Sequence, residues 1–127
     1  MKNYCLIFFA VLLLSCQKSK LKKDIVGVWE LEKVAGWVVG NPYPPGAVTF
    51  IIKEDGTFQH KLYDSVTSSG TYEIRTQKDC HPRSTDKIFW TNQPGVPYYI
   101  ELGDDKLTLS TSLCLVETWS IYYKRLR

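Results

Sequence analysis

From Ile25 onward apolar and polar residues alternate with a period of two, in short runs broken by turn residues, and no stretch keeps apolar residues at helical spacing. The pattern predicts an all-β domain with strands near residues 26–35, 46–54, 57–63, 70–76, 85–92, 97–102, 106–111 and 116–126. Alternation also assigns faces. Val48, Phe50 and Ile52, then Phe58, His60 and Leu62, then Tyr72 and Ile74 share an apolar side, against Thr49, Lys53, Gln59, Lys61, Glu73 and Arg75. The later strands continue it with Ile88 and Trp90, Tyr98, Ile100 and Leu102, Leu107 and Leu109, and Trp119, Ile121 and Tyr123. Asp55-Gly56, Ser68-Ser69-Gly70, Pro94-Gly95 and Gly103-Asp104-Asp105 supply turn chemistry between them. Two connections are longer, 36–46, rich in Gly and Pro, and 77–84, which contains Pro82. Eight sequential hairpin-linked strands with one apolar face close on themselves, which removes exposed edges. The expected fold is an eight-stranded antiparallel up-and-down β-barrel, whereas a Greek-key sandwich needs long cross-connections that this chain scarcely has.

Ahead of this pattern the chain reads differently. Met1-Lys2-Asn3 makes a short positive start, and Tyr4 to Leu14 is an uncharged apolar run of 11 residues. That suits a signal h-region and falls short of the roughly 20 residues that span a bilayer. The run ends in Leu13-Leu14-Ser15-Cys16, which resembles the bacterial lipobox. The resemblance implies that Cys16 is diacylated and becomes the first residue after cleavage. Two acyl chains would anchor the protein stably, since each buried methylene contributes about 0.8 kcal/mol. Residues 1–15 are then a lipoprotein signal peptide, 16–24 the lipidated cysteine and a flexible tether with four lysines, and 25–127 the barrel domain. By similarity to lipoprotein sorting rules, the absence of Asp at position 17 and of an acidic run after Cys16 implies the outer membrane, facing the periplasm.

Charge narrows the partners. Lys and Arg total 16 against 13 Asp and Glu, a balance too even for a surface built to neutralise phosphates, so nucleic acid is not expected. Four cysteines stand at 5, 16, 80 and 114. The first leaves with the signal and the second carries lipid, which leaves Cys80 and Cys114 as an even pair in an oxidising envelope, the setting for a disulfide. Hairpin counting opposes it, because Cys80 follows the fourth strand and Cys114 precedes the eighth, at opposite barrel ends. No metal or cofactor is expected, since Cys80-His81 and His60 lack the spacings that gather four zinc ligands. Nor is an enzyme: there is no Gly-x-Ser-x-Gly elbow, His-Glu-x-x-His or Gly-rich phosphate loop. His60, inward by alternation, is either a core histidine or a hydrogen-bonding group for a ligand.

Ile25-Val26-Gly27-Val28-Trp29-Glu30-Leu31 resembles the Gly-x-Trp signature that opens the first strand of lipocalins and lipocalin-like bacterial lipoproteins. In that superfamily an arginine near the chain end packs across the signature tryptophan, and Tyr122-Tyr123-Lys124-Arg125 offers Arg125 for that structural role over Trp29. Residues 50–58, Gly70-Thr71-Tyr72 and Lys106-Leu107-Thr108-Leu109 are similar to short lipocalin-like domains of envelope lipoproteins. The resemblance implies a barrel that binds a small apolar ligand. The candidate interior residues are Phe50, Phe58, His60, Tyr72, Trp90, Tyr98 and Trp119, with Trp37 and Tyr43 in a candidate lid between the first two strands. The alternative is a solidly packed barrel whose loops bind or inhibit an envelope protein.

Overall fold

The computed structural model describes residues 20–36, 40, 42–82, 85–112, 114 and 118–127. The proposed signal segment, Cys16 and Trp37 therefore lie outside the described residues. Eight strands run in order: β1 (Gly27–Ala35), β2 (Val48–Ile52), β3 (Thr57–Leu62), β4 (Ser65–Thr76), β5 (Lys87–Thr91), β6 (Tyr98–Leu102), β7 (Lys106–Ser110) and β8 (Ser120–Arg125). Each pairs antiparallel with the next, and β8 returns to β1, so the sheet is a closed up-and-down barrel. Closure satisfies the backbone of what would otherwise be two free edges.

The inward set is Trp29, Phe50, Ile52, Phe58, Tyr72, Ile74, Phe89, Ile100, Leu107, Leu109 and Tyr123, all buried in one cluster. Trp90 departs from expectation. Phe89 and not Trp90 turns inward, because Ile88-Phe89-Trp90 is apolar on both faces and the β4 register decides, pairing Ile74 with Phe89. Trp90 stands on the outer wall with the Arg75 guanidinium 3.9 Å above its ring.

A second departure is the start of β4. The chain turns at Tyr63-Asp64, where Tyr63 takes a positive φ of 54°, and Ser68-Ser69-Gly70 lies inside the strand. A register shift between His60 and Lys61 leaves Thr67 as the extra residue of a bulge, its hydroxyl donating to the His60 carbonyl. The stretch expected to be a tether is likewise ordered at its end. Residues 20–24 form a helical turn, and Leu21 packs against the core.

Cys80 and Cys114 are joined in a disulfide, with Cα atoms 5.8 Å apart. The hairpin count is correct, yet the loops have the reach. Each cysteine lies four residues beyond its strand, at Thr76 and Ser110, so the two arms together extend about 26 Å, while a five-residue strand is only about 17 Å long. The packed core cluster leaves no path through the barrel, so the arms meet over the outer wall. Ile88 and Tyr99 point outward by alternation with Phe89 and Ile100, and each is nonetheless only 2% exposed, as a strap drawn across that wall requires. A second link joins the two arms, Asp79 Oδ1 accepting from the Ser112 hydroxyl at 2.6 Å.

Candidate functional site

One barrel end is sealed by chemistry local to the first strand. Trp29 is fully buried and its indole N–H donates to the Ile25 carbonyl at 2.9 Å. The Arg125 guanidinium lies 4.2 Å over the Trp29 ring and donates to the carbonyls of Val26 at 3.0 Å and Asp24 at 2.6 Å. Gly27 lets the chain end approach this closely. A β-carbon there would sit 2.5 Å from the Arg127 carbonyl oxygen and 2.9 Å from Arg125 Nη1. Ile25 and Leu21 complete the plug.

At the other end a cavity of about 200 Å³ reaches into the barrel. Its floor is a set of interlocked rings centred on Phe50. His60 stacks on Phe50 with centroids 4.3 Å apart and planes 6° from parallel, while Phe58, Phe89 and Tyr123 meet Phe50 at 6.1, 5.6 and 5.4 Å. The stack follows from sequence through register, since Phe50 and His60 are directly opposite partners on β2 and β3. Tyr98, Leu109 and Ile121 form the wall, and Ser68, Thr91 and the 93–96 segment of the β5–β6 loop form the rim.

Gly70 explains why that loop can serve as a rim. Its missing side chain leaves room for Asn92, whose Oδ1 would otherwise collide with a β-carbon and instead accepts from the Thr71 N–H at 2.9 Å. Gln93 Nε2 donates to the Ser69 carbonyl at 2.7 Å, so the loop is clamped onto β4 beside the mouth.

The electrostatics of the cavity are those of burial. Desolvation holds the His60 imidazole below its ordinary value of 6.5. Burial, with Tyr98 beside it, pushes the Tyr123 phenol well above the usual tyrosine range. No charged side chain lines the cavity among the described residues.

Of the residues expected inside, Phe50, Phe58, His60 and Tyr98 line this cavity. Tyr72 is inward and buried but belongs to the packed core, stacked 4.9 Å from Phe89 with its hydroxyl donating to the Lys53 carbonyl. Trp119 does not reach the cavity; it stands at the end of the β7–β8 loop, its ring against Gly36. Tyr43 is no lid over the cavity either. It is exposed, and nearby Pro45 and Gly46 lie beside Glu30 on the outer side of β1, which draws the described part of that loop away from the mouth. Phe89 is the main lining residue that alternation missed, and Tyr123 was legible as an inward position though not as a site. The disulfide brings Asp79 close to both sulfurs, but sulfurs bonded to each other are not thiolate ligands, so the cluster is not a metal centre. Comparison with family models, curated proteins and solved structures finds no match to this chain.

Proposed function

We propose that the chain is a membrane-anchored, lipocalin-like lipoprotein that holds a small, largely apolar ligand in its barrel and catalyses no reaction. The observation that carries the reading is the aromatic cavity, floored by packed rings and, among the described residues, open at the end away from Trp29 and Arg125. The Gly27-x-Trp29 segment with Arg125 stacked on it supports the family resemblance. His60 contacts rings and no hydrogen-bonding side chain among the described residues, an arrangement suited to binding and unlike an activated nucleophile or its base. A lipid-bearing Cys16 also suits the geometry. The chain joins the barrel at the closed end, and four residues from Cys16 to Lys20 extend about 14 Å at most, so the closed end would rest near the membrane and the mouth would face the periplasm.

The test is native mass spectrometry of Cys16→Ser protein purified without detergent from a periplasm, compared with its denatured mass. The expected result is an adduct that denaturation removes. A protein that carries no adduct and binds no added small molecule would overturn the reading and favour a barrel whose loops engage another envelope protein. The small volume, below the range of about 300–1,000 Å³ typical of ligand pockets, is the observation that keeps this second reading in view.

A further inference from the structure

Resting on the ligand-binding reading above, we propose that the cavity selects a neutral single-ring molecule bearing one hydrogen-bonding group, the chemistry of a phenol, and rejects carboxylates and long acyl chains. Size sets the first limit. A cavity of about 150 Å³ lined by apolar side chains admits benzene, so the roughly 200 Å³ here accommodates one substituted ring and not an extended lipid chain. The lining sets the second. Phe50, Phe58 and Phe89 meet edge to face at interplanar angles of 71–80°, which offers an incoming ring both faces and edges.

Polarity sets the third limit. Tyr123 is only 4% exposed, and its hydroxyl has no hydrogen-bond partner among the described residues; the same holds for the His60 imidazole. Yet no fully buried side-chain nitrogen or oxygen among the described residues lacks a partner, so these polar atoms open onto the cavity both residues line. Both rings flank Phe50, at 4.3 and 5.4 Å, which brings them to one guest. A phenolic hydroxyl there accepts from Tyr123 O–H and donates to an imidazole nitrogen. A carboxylate in the same place would be desolvated without a counter-charge, because no cation lines the cavity among the described residues and burial keeps His60 neutral at pH 7.

The test is a titration of the full Cys16→Ser chain with p-cresol, toluene, p-toluate and decanoate, followed through the ring signals of Phe, Tyr and His by NMR. The expected result is saturable binding of p-cresol, about tenfold weaker binding of toluene, and no saturation by p-toluate or decanoate at pH 7. Tyr123→Phe, which keeps the ring and loses no side-chain bond to a described residue, is expected to erase the preference for p-cresol over toluene, and His60→Phe to reduce it while keeping the stack on Phe50. Toluene binding as tightly as p-cresol, or p-toluate or decanoate binding as tightly, overturns this ligand class while leaving a ligand-binding barrel. A native adduct with no response to any ring probe does the same. No adduct and no response to any probe overturns the ligand-binding reading itself.

Discussion

At Arg125 one guanidinium stacks on Trp29 and donates to two carbonyls, of Val26 and Asp24, that no strand pairing satisfies. A lysine keeps the charge but not the planar fork. Arg125→Lys is therefore expected to cost about 2 kcal/mol, read as a lower urea midpoint with the barrel otherwise intact. A midpoint equal to that of the native protein would show that the seal depends on Trp29 alone. His60 carries the pH dependence at this scale. Burial holds its folded-state pKa below 6.5, so on acidification the unfolded chain binds a proton that the folded chain resists. Stability is full above pH 6.5 and falls as the pH drops through 6.5 toward the lower folded value. Urea unfolding between about pH 7.5 and about pH 5 is expected to show that decline, and His60→Phe to flatten it. An equal decline in the variant would move the effect to another group.

β5 separates what alternation can tell from what it cannot. Along β3 and the second half of β4 a polar residue follows each apolar one, and in β2 Thr49 and Lys53 mark the outer face despite Ile51, so the inward residues Phe50, Ile52, Phe58, Tyr72 and Ile74 are legible in the sequence. Ile88-Phe89-Trp90 gives no alternation to read, and only the pairing with Ile74 and Tyr72 fixes which ring enters the core. Phe89→Ala is therefore expected to cost about 3–5 kcal/mol in chemical denaturation. Trp90→Ala removes a partly buried outer ring and the Arg75 contact, for about 1 kcal/mol. The reverse order would invert the face assignment of the strand. The first half of β4 was hidden for a different reason: the Tyr63-Asp64 turn has no glycine to mark it, while Gly70, which looks like a turn residue, serves to admit Asn92. The candidate site was legible in the same measure. Phe50, Phe58, His60 and Tyr98 follow from alternation, but the rim depends on the clamp between Gln93 and Ser69, a contact between residues 24 apart that leaves no local pattern.

Over the whole molecule, two closures act on different parts of the barrel. The pairing of β8 with β1 joins the first strand to the last, and the disulfide joins the loops after β4 and β7 across the outer wall. Only the first is needed for the fold, because every strand has both neighbours without the strap. Restricting a loop of 34 residues constrains the unfolded chain by about 3–4 kcal/mol on the chain-entropy argument. Both cysteines are exposed, so a mild reductant reaches the bond in the folded protein. Reduction, or Cys80→Ser with Cys114→Ser, is expected to lower unfolding stability by that amount while leaving the β-sheet circular dichroism unchanged. The cavity makes the sharper test of where the strap lies. Its lining includes neither loop cysteine nor Asp79, and its rim is held by the Gln93 and Asn92 contacts with β4. Affinity for p-cresol is therefore expected to survive reduction within a factor of about two, the scatter of a single weak contact. A folded, reduced protein that no longer binds p-cresol would instead place the disulfide-linked loops among the elements that shape the mouth.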